Sequence, residues 1–313
     1  METVVLPTTE TGECSGRPSF GTRIARMALG MVQAVVSVVP LRVALWIGRR
    51  AGDLAYWAVY PRTRVALDQV ASALGDRLGP RERRGTVRRM YQNFGQGVVE
   101  FLRLPKLIES GHLDSLITVE GESHVRGAFA RGKGVLILTA HYGNFELLSA
   151  FFAARGYRVN LVTRRLKNGV LDRFWAEQRS RLHIRPIFKE DSVKEVVGCL
   201  RRNEAIGYVL DQNMGPGQGV FVEFFGQPAS TMNVVAVLAK RFGCPVVPVF
   251  ITRERDDPTR HRIVFEAPMD GTDDDIVQQT QRYTAVIERR IRERPDHWIW
   301  IHRRWKTQPP RSN

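Results

Sequence analysis

An α/β fold is predicted, with a largely parallel central sheet flanked by helices and a membrane-associated helical segment at its N-terminus. Three observations predict it. After Leu116, short β-branched runs alternate with helix-length amphipathic stretches, the pattern of strands joined by crossover helices. An apolar stretch flanked by arginines precedes them. Finally, 43% of the 313 residues are hydrophobic, which excludes a disordered chain and suffices for one large core with or without a small appendage.

In chain order, residues 1–21 are polar and rich in Thr, Gly and Pro, and are expected to form a disordered tail. Residues 22–60 are expected to form the membrane-associated segment, built around the apolar run Met27–Ile47. That run is long enough to span a bilayer, but Gln33, Pro40 and Arg42 interrupt it, with Arg23 and Arg26 before it and Arg49 and Arg50 after it. A spanning helix needs about 20 mainly apolar residues and tolerates a central arginine badly. A helix lying in the interface with its arginines on lipid phosphates fits as well, and a buried hairpin of a soluble protein is the third reading. Residues 61–313 form the α/β domain. Its first helices are expected at Arg62–Leu78 and Pro80–Leu102, broken at Gly79-Pro80. Strands follow at Ile117–Glu120, Val135–Ala140, Val159–Thr163, Ala205–Leu210, Pro245–Thr252 and Arg262–Phe265. Helices at Ser123–Arg131, Phe145–Ala154, Val170–Ser180, Ser192–Arg202 and Met232–Arg241 separate several of them, and a charged amphipathic helix over Asp273–Arg294 closes the series. In "WIWIHRRW", Trp298 and Trp300 alternate with isoleucines as in a strand, so His302 and Arg303 read as structural or interfacial.

The net charge of +15 calls for an acidic partner: nucleic acid, an anionic membrane or an acidic protein. Basic residues are spread along the whole chain with no RNA-binding aromatic motif or recognition helix, so nucleic acid is not expected. Cys14, Cys199 and Cys244 are far apart, which signals neither a disulfide framework nor a zinc site and fits a reducing, cytosol-facing compartment. "GAFARGKG" at Gly127 lacks the magnesium-binding hydroxyl of a P-loop and precedes its strand instead of following one. No GxSxG or HExxH occurs, and "GPGQG" at Gly215 lacks the dinucleotide fingerprint.

One motif survives. "AHYGNFE" joins a predicted strand to a predicted helix and carries His141 and Glu146. Residues five apart on one continuous helix point roughly 140° away from each other. A strand, a glycine-relaxed turn at Gly143 and a new helix capped by Asn144 can instead fold the imidazole back over the carboxylate. The alternative is a histidine closing a strand and a glutamate serving only the helix N-terminus. Asp211 and Gln212 end another apolar run (Ile206–Leu210) and belong on the same sheet edge, where a carboxylate calls for a partner.

"HYGNFE" resembles the H-x4-(D/E) motif of the glycerolipid acyltransferase superfamily. More particularly, the chain resembles the bacterial lipid A late acyltransferases (lauroyl and myristoyl transferases) and their relatives that acylate phosphatidylinositol mannosides. Further matches occur in order from about Leu41: "RVALDQV" at Arg64, "YQNFGQGVVEF" at Tyr91, "TRRLKNGVLDRF" at Thr163, "VLDQNMGPGQGVFVEFFGQPAST" at Val209 and "PDHWIWIHRRWKT" at Pro295. The first departs from the family by carrying Asp68-Gln69 where an Asn is usual.

The resemblance implies a membrane-associated acyltransferase of lipid A (lipopolysaccharide) biosynthesis at the inner, cytoplasmic membrane, its catalytic domain facing the cytoplasm. It would move a fatty acyl chain from an acyl thioester to a hydroxyl of a phosphorylated glycolipid or phospholipid. The donor would be acyl carrier protein, an acidic partner suited to the charge, or CoA, with no further cofactor and no metal. Another envelope lipid, such as a phosphatidylinositol mannoside or a lysophospholipid, is the alternative acceptor. A non-catalytic lipid- or nucleic-acid-binding protein would leave "HYGNFE" unexplained. In this reading His141 is the general base and Glu146 fixes its tautomer. Backbone N–H groups at Gly143 and Asn144 meet the oxyanion, Arg164 and Arg179 bind substrate phosphate, and Asp211 and Gln212 complete the substrate site. Phe221, Phe224 and Phe225 either wall the acyl channel or pack in the core. Nothing in the sequence signals an oligomeric state.

Overall fold

The computed structural model describes residues 20–188, 192–270 and 275–310; the expected N-terminal tail falls outside them up to residue 19. Pro40, which cannot continue a helix ladder, divides the N-terminal apolar run into α1 (Phe20–Val38) and α2 (Leu41–Ala58). Then come α3 (Tyr60–Leu74) and α4 (Pro80–Glu109). The Glu82 carboxylate accepts the Gly79 N–H at 2.8 Å at the start of α4. This helix runs past Pro105 to Glu109 instead of stopping at Leu102. A Cβ at Gly52 would overlap the Tyr91 carbonyl, so α2 lies backbone to backbone on α4 and belongs to the same packed body. No helix among the described residues is long and apolar enough to cross a membrane.

The α/β part contains β1 (Ile117–Glu120), α5 (Glu122–Ala130), β2 (Val135–Thr139), α6 (Phe145–Ala154), β3 (Val159–Thr163) and α7 (Gly169–Arg181). It continues with β4 (Ile184–Phe188), α8 (Ser192–Arg201), β5 (Ala205–Val209), β6 (Val220–Phe224) and β7 (Gln227–Thr231). α9 (Val234–Phe242), β8 (Val246–Arg253), β9 (His261–Phe265) and α10 (Ile276–Glu293) complete it. Seven strands form one sheet in the order β1-β9-β8-β2-β5-β3-β4. Only β8 and β9 pair antiparallel, so the expected largely parallel sheet flanked by helices is what forms. β2 is buried on both faces, as parallel central strands are. Leu136 and Leu138 enter one core with Val235, Tyr283 and Trp300, while Val135 and Ile137 enter the other with Val125, Leu148 and Phe151.

Three strands escape the sequence reading. β4 carries Pro186 and an exposed Arg185; it sits at the sheet edge, where a proline costs no ladder bond. β6 and β7 form a separate antiparallel hairpin. Phe225 and Gly226, both at positive φ (55° and 72°), make its two-residue turn, where asparagine or glycine is the usual pair. Phe224 and Phe225 pack on Trp298, Trp300 and Trp305, so these two phenylalanines are core residues. The segment Trp298–Ile301 is not a strand. Trp298 makes a single bridge to Tyr142, and both tryptophans are fully buried.

Candidate active site

Parallel pairing of β2 with β5 sets Thr139 beside Val209. Two residues beyond that pair on each strand stand His141 and Asp211, at the carboxyl edge of the sheet. The His141 imidazole Nδ1 lies 2.9 Å from Asp211 Oδ1. A buried carboxylate accepts here, so Nδ1 carries the hydrogen and Nε2 presents its lone pair. The other carboxylate oxygen accepts the Trp298 indole N–H at 2.6 Å and the His141 backbone N–H at 3.1 Å. Burial opposes charge on His141, but the neighbouring Asp211, with a smaller contribution from Glu146, raises its pKa above the ordinary value. Asp211 is itself buried, which disfavours its charge; His141 and the indole outweigh that and hold it down at about 2.

The turn after β2 needs a glycine. Gly143 has φ +61°, and a Cβ there would collide with the Ile251 carbonyl of β8. Its N–H donates to the His297 carbonyl at 2.9 Å, and the Ile299 N–H donates back to the His141 carbonyl at 3.1 Å. The C-terminal segment therefore clamps the turn on both sides. Asn144 caps α6 as expected: its Oδ1 accepts the Leu147 N–H at 3.1 Å, and its Nδ2 donates to Glu100 at 2.8 Å. With these partners the Gly143 N–H is not free to meet an oxyanion, and the Asn144 side chain is committed to the cap and to Glu100; the oxyanion contact expected of Asn144 is through its backbone N–H.

Glu146 faces away from the imidazole. Its carboxylate accepts from Arg179 at 2.6 and 3.2 Å and from the Trp175 indole at 2.9 Å. Residue 146 lies in the first turn of α6, where its side chain meets α7, so the carboxylate reaches His141 only through space. Arg179 is engaged by the same pair, whereas Arg164 is exposed at the end of β3. Gln212 places its amide nitrogen 3.2 Å from His141 Nε2.

His141 opens into a cavity of about 400 Å³ between the carboxyl half of the sheet and α6. Ile137, Leu148, Phe152, Val159, Leu161 and Gly207 are among its lining, and so is Arg164. A smaller recess of about 260 Å³ adjoins the same imidazole and is lined by Arg62, Gln212 and His302. His302, read as structural or interfacial from sequence, lines both spaces, while its Nε2 accepts the Asn213 N–H at 2.8 Å. Trp298 is the residue that sequence reasoning missed. The C-terminal signature held the signal, but nothing local pairs an indole with a carboxylate 87 residues away. Among the described residues no cluster of His, Cys, Asp and Glu is arranged to hold a metal, and Cys199 and Cys244 are buried free thiols.

The lipid A biosynthesis lauroyltransferase of Escherichia coli (strain K12) is 24% identical over 93% of this chain and 96% of its own. The lipid A biosynthesis palmitoleoyltransferase of the same strain is 24% identical over 86% and 87%. The crystal structure of the 1-acyl-sn-glycerophosphate acyltransferase PlsC from Thermotoga maritima aligns with 79% of this chain and 97% of that one, at 11% identity and a TM-score of 0.38. A family model described as bacterial lipid A biosynthesis acyltransferase matches residues 21–307, and the chain belongs to that family of enzymes.

Proposed function

We propose that the protein transfers a fatty acyl chain from an acyl thioester to a hydroxyl of a phosphorylated glycolipid of the lipid A type. The observation that carries this reading is an imidazole with Nδ1 held by a buried carboxylate, opening into a deep apolar cavity. An alcohol is a poor nucleophile at neutral pH, so a base must take its proton as the carbonyl is attacked. His141 Nε2 takes that proton, and Asp211 stabilises the imidazolium, the part the acid plays in a serine-protease triad. The hydroxyl oxygen bonds to the thioester carbon, the carbon–sulfur bond breaks, and the imidazolium returns the proton to the leaving thiolate. Gln212 occupies the face of Nε2 that the hydroxyl takes. Arg164 is the arginine available to a substrate phosphate, since Arg179 is committed to Glu146.

The donor is acyl carrier protein, whose acidity suits a chain of net charge +15. The enzyme works on the cytoplasmic face of the inner membrane as an interfacial protein. Met27, Met31, Val35 and Val38 line an exposed stripe on α1, and Trp46 and Trp57 stand exposed on α2. Arginines 23, 26, 42, 49 and 50 accompany them, the composition of helices that lie in the headgroup region.

The test is to incubate purified protein with acyl-carrier-protein thioester and a panel of phosphorylated glycolipid and lysophospholipid acceptors, then read products by mass spectrometry. A mass gain of one acyl chain on a glycolipid is expected. Thioester hydrolysis without transfer, or transfer to lysophospholipid alone, would replace this reading.

A further inference from the structure

We propose that Thr139 is a catalytic residue whose hydroxyl donates a hydrogen bond to the thioester carbonyl oxygen and to the oxyanion that develops on it. The proposal rests on the acyl-transfer reading and adds the group that the reading lacks.

Along β2 alternate side chains share a face, and residues 137, 139 and 141 all line the apolar cavity. Ile137 is 5% exposed and the His141 side chain 27%, and Thr139 lies between the apolar wall and the base along the strand. An acyl chain laid past Ile137 brings its carbonyl carbon between those two positions. Thr139 is 7% exposed, and among the described residues its Oγ1 has no hydrogen-bond partner. Leaving a buried hydroxyl unpaired costs about 1–3 kcal/mol, a cost that a ligand oxygen removes.

Three other donors near the imidazole are occupied. The Gly143 N–H is held by the His297 carbonyl, the Asn144 side-chain Nδ2 by Glu100, and the Ser149 hydroxyl, also in the cavity wall, by the Phe145 carbonyl. Gln212 is the one other polar side chain shown here beside His141 Nε2, and it lies on the side from which the alcohol approaches. As the alcohol oxygen bonds to the carbonyl carbon, the carbonyl π electrons move onto oxygen and the alcohol proton moves to Nε2. When the carbonyl re-forms, the carbon–sulfur bond breaks and the thiolate takes that proton. A Thr139 hydroxyl gains strength at the moment negative charge appears, the differential that lowers a barrier.

The experiment compares full-length wild type with Thr139→Val and Thr139→Ser. The valine variant is expected to lose about 10²–10³-fold in kcat, with donor KM little changed and a melting temperature equal to or above that of wild type, because an unpaired buried hydroxyl has been removed. Serine restores most of the rate. A carbonyl-labelled dodecanoyl thioester of acyl carrier protein, followed by difference infrared spectroscopy, reads the hydrogen bond without turnover. The carbonyl stretch of the bound donor should lie lower in wild type than in Thr139→Val. Equal stretches, wild-type kcat in the valine variant, or a melting temperature that falls along with kcat would each overturn the assignment. Wild type that binds donor with a lowered stretch but acylates no lipid would instead sink the acyl-transfer reading and leave the Thr139 contact standing.

Discussion

The imidazole of His141 and the carboxylate of Asp211 meet at 2.9 Å although 70 residues separate them, while Glu146, five residues from the histidine, is turned onto Arg179. The tautomer-fixing role expected of Glu146 thus has its geometry at Asp211, and the two carboxylates should respond differently to substitution.

Asp211→Asn should lower kcat by about 10²–10⁴-fold. The pH profile gives the sharper test. His141 must be neutral to act as a base, and Asp211 raises its pKa, so kcat/KM of wild type should fall with decreasing pH along an acid limb above about 6.5. Removing the charge of Asp211 removes that elevation, and the limb should move to lower pH even as the plateau drops. An unmoved limb would mean that some other group titrates.

Glu146→Gln leaves the Arg179 guanidinium, 15% exposed in its side chain, without its bidentate partner. Stability should fall by about 3 kcal/mol, measured by denaturant unfolding. The acid limb should move much less than in Asp211→Asn, since Glu146 acts on the imidazole only through space. A limb displaced as far as in Asp211→Asn, with stability intact, would return the pairing role to Glu146.

Chain length should depend on Gly207. It pairs with Ile137 across β5 and β2 and lines the cavity beside it, and a Cβ there would lie 2.6 Å from Leu161 Cδ2. Gly207→Val should therefore shorten the acyl chain that is used, read by competing donors of different length in one reaction. An unchanged length preference in a folded, active variant would place the chain elsewhere.

Replacing Met27, Met31 and Val35 together by serine should weaken binding to anionic vesicles about tenfold or more while leaving the melting temperature unchanged, because all three are over half exposed. Flotation of both proteins on vesicles at two salt concentrations measures it. Equal flotation would show that α1 is not the membrane-facing element.

Local order was legible from residue patterns. Val135 to Thr139 reads as a buried strand and Phe145 to Ala154 as a helix, and Asn144 caps that helix as its chemistry predicts. The glycine of "HYGNFE" had to be a glycine, because positive φ and the approach to Ile251 leave no room for a Cβ. Asp211 could be assigned to the sheet edge, since it ends an apolar run. What the sequence by itself determined, then, was which residues stand at the ends of strands and helices, through side-chain periodicity and capping that act over a few residues.

Which of those ends meet was decided only in the tertiary structure. Periodicity makes a strand hydrophobic on both faces but does not number its neighbours, and β2 lies beside β5 and β8, not beside the β3 that follows it in the chain. That order, fixed by the packing of both cores at once, sets Asp211 next to His141. It also folds the C-terminal segment over the turn, so that Trp298 holds the carboxylate and the His297 carbonyl takes the Gly143 N–H. The helix that starts at Phe145 points Glu146 toward α7 for the same reason: its direction follows from the face it buries, not from its distance in sequence to the histidine.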